Sequence, residues 1–203
     1  MKMIPTSGQS LPKDMTLQGS RTVLRARSSR DAAILHALWS DVDTWLLSAI
    51  GPYTPESLHS ARRRMELEMS SPPGDSVWLT AEVIEGNTPP VAIGMAGLWG
   101  IDQFNRRAHI SLTLLPEWRG KDYGTELLTT LCRYAFHLRG LRRLEVETLS
   151  RNVAMQSLAR RCGFKPEGCL RQRDHDAGRW TDVLLYGLLD TEMPSASLDR
   201  SRT

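Results

Sequence analysis

Between Arg107 and Phe136 the sequence changes period, and the place of the change limits what the chain can fold into. Ala108, Ile110, Leu112 and Leu114 alternate with polar residues at the strand period. Leu127, Leu128, Leu131, Ala135 and Phe136 then recur at helical spacing. The join, Pro116-Glu117-Trp118-Arg119-Gly120-Lys121-Asp122-Tyr123-Gly124-Thr125, is short and rich in glycine and cations. A strand that passes directly into a helix through such a turn leaves several backbone N–H groups unpaired at the positive end of the helix dipole. That is an anion site made of main chain.

The flanking sequence supplies a sheet for this unit to join. Thr22–Ala26 reads as a strand, and Arg30-Asp31-Ala32-Ala33 opens a helix with Ile34, Leu35, Leu38 and Trp39 on one face. Thr54 as N-cap and Pro55 at the first position predict a second helix, running to about Met69. Three strands follow, at 77–84, 90–99 and 107–114, joined by the turns Glu85-Gly86-Asn87 and Gln103-Phe104-Asn105 into an antiparallel meander. In the first of them Leu79, Ala81 and Val83 face one way, Thr80 and Glu82 the other. The long helix ends near Arg139-Gly140; then come a strand at 144–148, a helix at 152–161 and a hairpin around Asp176-Ala177-Gly178. The order β-α-α-β-β-β-α-β-α-β-β predicts an α+β domain. Its single mixed sheet, mostly antiparallel, is flanked by helices and has one parallel crossover around the helix at 123–138.

At 203 residues one core is expected, with a flexible leader over 1–20, a domain over 21–190 and a flexible tail over 191–203. The net charge of +3 is too mild to name a polyanionic partner, and the Arg62-Arg63-Arg64 run reads as a solvated helix face rather than a nucleic-acid patch. Val91–Ile101, the longest nearly apolar run, is too short to span a bilayer, and residues 1–20 lack the apolar segment of a signal peptide. Cys132, Cys162 and Cys169 have no C-x-x-C spacing and read as small buried hydrophobes in a cytoplasmic protein, with no metal site. Lysine occurs only at 2, 13, 121 and 165, and the preference for arginine hints at a GC-rich bacterial source.

Residues 20–190 resemble the GNAT superfamily of N-acyltransferases in element order and in two motifs. The family's coenzyme loop is Arg or Gln, any two residues, Gly, any one, then Gly or Ala; here it reads Arg119-Gly120-Lys121-Asp122-Tyr123-Gly124. Asp122 stands where Gly is usual. Either its side chain turns outward and N-caps the helix, or the loop binds phosphate less tightly. The second motif is an Asn opening a helix that closes on Gly-Phe, matched by Asn152 to Gly163-Phe164. Lys165-Pro166-Glu167-Gly168 and the stretch from Gly178 to Tyr186 resemble the branch that acetylates ribosomal-protein N-terminal alanines, whose members also modify small amines.

The resemblance implies acetyl-CoA as co-substrate and a primary amine as acceptor, and it leaves a homodimer open. It places the pyrophosphate on Arg119, Gly120, Lys121, Asp122, Tyr123, Gly124 and Thr125. Asn152 and the backbone of Leu112 and Leu114 would hold the pantetheine arm, where the strand at 107–114 splays from its neighbour. The usual general acids have no counterpart, since Ala159 and Met155 occupy those positions; Ser157 is off by about half a turn, and Tyr186 or water remains. His109 and Asp182 are the expected catalytic residues, with Glu82 as a further base candidate, although Asp182 could instead bind an amine or fix the turn. Trp45, Tyr53, Trp99 and Trp180 are candidates to wall an acceptor pocket. A non-catalytic acyl-CoA-binding module is the alternative that Asp122, Met155 and Ala159 favour.

Overall fold

Residue alternation and turn chemistry set seven strands side by side. The computed structural model describes residues 17–48, 51–70, 74–86 and 88–193. The strands are β1 (Thr22–Ala26), β2 (Val77–Val83), β3 (Val91–Asp102), β4 (Arg107–Leu114), β5 (Arg143–Leu149), β6 (Lys165–Asp176) and β7 (Arg179–Leu189). They form one sheet in the order β1-β2-β3-β4-β5-β7-β6, antiparallel except where β4 meets β5. The helices are α1 (Ala32–Ser40), α2 (Val42–Ser48), α3 (Leu58–Ser70), α4 (Tyr123–Arg133) and α5 (Val153–Arg161). A π turn over Tyr134–Leu138 prolongs α4. Among the described residues no helix is long and apolar enough to cross a membrane.

Each face of the sheet buries a different helical layer. Leu127, Leu128 and Leu131 of α4 and Ala159 of α5 pack with Ala96, Leu98, Ile110, Leu144 and Val146 in the main core. Ala32, Leu35 and Leu38 of α1 and Met65 of α3 close on Met95 and Leu115 in a smaller one. The parallel crossover predicted around 123–138 is present, and α4 begins at Tyr123 as expected.

Several local expectations fail for physical reasons. Thr54 and Pro55 do not start α3; Ser57 does, its hydroxyl accepting the Ser60 N–H at 3.1 Å, so the helix begins one turn later. An unexpected short helix, α2, follows α1, with Asp41 accepting the Thr44 N–H at 3.1 Å. The polar face of β2 is not solvated. Thr80 is buried and donates to Asp31 at 2.9 Å, while Glu82 and Asp31 share the Arg25 guanidinium, each at 2.7 Å. Cys132 and Cys162 are buried, but Cys169 lies exposed on β6. Of the expected leader, residues 1–16 fall outside the described residues, whereas Leu17 already accepts the Leu24 N–H and Ser20 donates to Glu126. The expected tail falls outside them from residue 194 onward.

Candidate active site

The ladder between β4 and β5 stops early. Only Arg107↔Arg143, Ala108↔Leu144 and His109↔Glu145 are paired; from Ile110 on β4 keeps β3 alone, and from Val146 on β5 keeps β7 alone. The Leu115 N–H turns toward β3, bonding the Ile93 carbonyl at 2.9 Å. By the alternation of a strand, the main-chain groups of Leu112 and Leu114 therefore aim into the fork. Gly94 permits the close approach of β3 here, since a Cβ on it would sit 2.2 Å from the Thr113 carbonyl.

At the open end of the fork the chain turns into α4. Gly120 (φ +73°) and Asp122 (φ +63°) both hold left-handed backbone. Thr125 and Glu126 donate back to the Asp122 carbonyl at 3.2 and 3.4 Å. The N–H groups of Tyr123 and Gly124, at the first two helical positions, have no intrahelical acceptor. Those of Gly120, Lys121 and Asp122 bond no backbone carbonyl among the described residues. The Thr125 hydroxyl is buried there without a hydrogen-bond partner among them. Amides free at a helix N-terminus, with a hydroxyl beside them, fit a diphosphate. Gly124 itself lies under Leu158 of α5 and Leu112 of β4, 3.5 and 3.8 Å from where a Cβ would stand.

The side chains of this turn mostly serve the scaffold. Arg119 donates from Nε to the Leu114 carbonyl at 2.9 Å and from Nη2 to the Thr44 hydroxyl at 2.5 Å. Lys121 stacks over Trp118, and buried Tyr123 lies under the Arg21 guanidinium while its hydroxyl donates to Glu85. Asp122 makes no capping bond; its carboxylate instead meets Arg161 of α5 at 3.1 Å. Of the two consequences open for Asp122, the side-chain cap is not the one adopted.

The far arm of the fork carries Asn152. Its Oδ1 accepts the Met155 N–H at 3.1 Å, which caps α5, and its Nδ2 points to the Leu47 carbonyl at 3.4 Å. Arg151 reaches the Leu46 carbonyl at 3.3 Å and forms a two-pronged pair with Asp176 at the tip of the β6–β7 hairpin. Each partner shifts the other: hydrogen bonding to Asp176 raises the Arg151 pKa, and hydrogen bonding to Arg151 lowers that of Asp176. Helix α2 thus spans from Arg119, after β4, to Arg151 and Asn152, after β5. Neither Thr44 nor Arg151 stands out in the sequence, because each acts through a partner more than twenty residues away.

His109 sits on the last rung before the strands part. Its ring stacks on Trp99, with centroids 4.1 Å apart, and lies 3.5 Å from Glu145 and 3.9 Å from Glu147. Nδ1 is enclosed without a hydrogen-bond partner among the described residues. Asp182 is elsewhere, on β7. Its carboxylate accepts the Gln172 N–H at 2.8 Å and so pins the irregular stretch of β6, where Gln172 has φ +50°. Tyr186 is buried with its hydroxyl bonded to Arg160, on the far side of β5 from β4. Trp45 packs edge-on against Trp39 and Tyr53, and Trp180 is exposed beside His175. Glu82 serves Arg25. Among the described residues no group of three or more His, Cys, Asp or Glu could hold a metal ion.

Comparison with known proteins agrees with this geometry. The profile of the acetyltransferase (GNAT) domain matches residues 21–165. An uncharacterized N-acetyltransferase, p20 of Bacillus licheniformis, is 30% identical over 177 residues, covering 87% of this chain and 97% of that protein. The structure of Vibrio cholerae spermidine N-acetyltransferase in complex with CoA and spermine superposes with a TM-score of 0.76 at 22% identity, over 86% of this chain and 98% of that one. RimL, a ribosomal L7/L12 alpha-N-protein acetyltransferase in complex with coenzyme A, gives 0.72 at 21% identity, over 86% and 97%. The early-ending β4–β5 ladder, the amide-lined turn and the matching profile make this chain a member of the GNAT family and an N-acetyltransferase.

Proposed function

We propose that the chain moves the acetyl group of acetyl-CoA to a primary amine, a small-molecule amine or a protein N-terminus, by direct attack. The observation that carries this is the β4–β5 ladder ending after His109↔Glu145 beside a turn of unpaired amides. The amides of Gly120 to Gly124 and the Thr125 hydroxyl hold the diphosphate. The pantetheine amides pair in the fork with the main chain of Leu112 and with the Leu114 N–H, the Leu114 carbonyl already accepting from Arg119, and with Asn152 once its side chain leaves Leu47. A fixed backbone donor such as the Leu112 N–H at the developing oxyanion contributes about 2.7–4 kcal/mol, and alignment of the two reactants about 7–11 kcal/mol in favourable cases.

The amine nitrogen bonds the acetyl carbon as the carbon–sulfur bond breaks; one proton leaves the nitrogen and one reaches the sulfur. His109 takes the first, being the imidazole at the apex of the fork. Water delivers the second, because Tyr186 is bonded to Arg160 behind β5. Asp182 is assigned to the hairpin rather than to the reaction. The acceptor enters past α2 and the β6–β7 hairpin. The enzyme works in a bacterial cytoplasm.

The test incubates the protein with acetyl-CoA and a panel of spermidine, peptides with N-terminal alanine or serine, and aminoglycosides, following release of free thiol. Turnover with one class supports the proposal and names the acceptor. Binding of CoA by titration calorimetry with no turnover across the panel favours a binding module. No heat with either CoA or acetyl-CoA overturns the coenzyme site.

A further inference from the structure

Asp122 places a carboxylate beside a site for a dianion, and the structure shows what offsets it. In the left-handed region its backbone keeps the course that a glycine would give the turn, at a strain that Asp tolerates better than most residues. Its side chain is 73% exposed, caps nothing, and meets Arg161 Nη1 at 3.1 Å. The turn's own cations are engaged elsewhere: Arg119 with Leu114 and Thr44, Lys121 with the Trp118 ring. Arg161, at the C-terminal end of α5, is therefore the guanidinium brought to the turn by the residue that departs from the family pattern.

We propose that Arg161 is a coenzyme-binding residue of this chain, held at the turn by Asp122 and offering its remaining N–H groups to the diphosphate. The pair, formally neutral, replaces the neutral glycine usual at that position. A guanidinium presents several donors in a plane, so it can hold Asp122 by one nitrogen and a phosphate oxygen by another. This rests on the coenzyme placement proposed above.

The experiment measures CoA and dephospho-CoA dissociation constants, with acetyl-CoA KM and kcat, for the parent, R161A, R161K and the double variant D122G/R161A. R161A leaves an unbalanced carboxylate at the site. We expect its affinity for CoA to fall about tenfold, with KM rising far more than kcat falls. R161K should recover part of the loss by restoring the charge, and D122G/R161A should recover only the part due to the unbalanced carboxylate. Full recovery in the double variant would reduce Arg161 to a counter-ion and overturn its contact with the diphosphate. The loss should be equal for CoA and dephospho-CoA. Parental affinity in R161A overturns the proposal, as does a loss confined to CoA, which would put Arg161 on the 3′-phosphate. Failure of the parent itself to bind CoA would instead overturn the coenzyme placement.

Discussion

The two sides of the fork are built from different materials. On the proposed coenzyme side most of the groups assigned to the ligand are main chain, with the Thr125 hydroxyl, Asn152 and Arg161 beside them. The main-chain groups are the amides from Gly120 to Gly124, which bond no backbone carbonyl outside the helix among the described residues, and the splayed edge at Leu112 and Leu114. Their side chains mostly turn away to fasten the scaffold. On the proposed acceptor side His109 and Glu145 share the last β4–β5 rung and are also paired to β3 and β7, and the chemistry belongs to side chains: His109 on Trp99, flanked by Glu145 and Glu147. A site made of backbone tolerates many side chains and depends on conformation. A site made of side chains depends on the individual group.

The sharpest way to break this contrast is at the acceptor side. His109→Ala removes the only imidazole at the fork apex and should lower kcat/KM for the amine by about 10²–10⁴, the usual contribution of a positioned base. The CoA dissociation constant should hardly move. Stopped-flow thiol release and calorimetry measure the two separately. Equal damage to both would mean that His109 shapes the fork rather than serving the amine.

On the coenzyme side the vulnerable groups should be those that hold the backbone still. Glu126, in the first turn of α4, accepts from the Arg21 and Thr22 N–H groups at 2.7 and 2.9 Å and from the Thr22 and Ser20 hydroxyls. Burial pushes its pKa up, and these donors more than offset that, leaving it below the ordinary value. A depressed carboxylate stabilises the fold fully above its unfolded pKa of about 4.3, and the contribution is lost as pH falls below that. Glu126→Gln should cost about 1–3 kcal/mol at neutral pH. Melting temperatures from pH 7 downward should converge with those of the parent below about pH 4. A constant difference across that range would remove ionisation from the account.

How much of this was readable beforehand follows from the same division. The turn was legible because Gly120, Gly124 and the period change on either side report backbone conformation, which sequence encodes locally. The sheet was legible for that reason too, through alternation in β2, β3 and β4. The fork was not visible in the side chains of residues 107–114, which suit a fully paired strand equally well; family resemblance alone implied it. The environment of His109 depended on pairing across β3, β4 and β5, and Asp182 could not be assigned to the hairpin until Gln172 was seen against it. Helix α2 is not legible in the sequence because Asp41 caps it within a short, half-buried segment, and its role depends on the distant Arg119 and Arg151.

Gly120 tests conformation with no change in chemistry. A Cβ there meets nothing within 4 Å, so Gly120→Ala introduces no clash, only the strain of an L-residue at φ +73°. That strain is about 1 kcal/mol, and the free turn can shed it by leaving the shape that presents its amides. CoA binding should weaken about fivefold, read by calorimetry, with thermal stability nearly unchanged. Unaltered binding would show that the amides are not the main contact.

The smallest effect should come from the residue that looks most like a phosphate ligand. Lys121 lies in the middle of the turn and carries a positive charge, and the sequence places it among the pyrophosphate residues. In the structure its ammonium sits over the Trp118 ring, 5.1 Å from the centroid. A surface cation–π contact of about 0.5–1 kcal/mol competes with any phosphate contact it makes. Salt also screens an exposed charge over about 8 Å at physiological ionic strength. Lys121→Ala should therefore weaken CoA by less than about threefold at 150 mM salt, somewhat more at 10 mM, and leave kcat alone. A tenfold loss at the higher salt would make this a side-chain site like its opposite arm, and the contrast between the two sides of the fork would no longer hold.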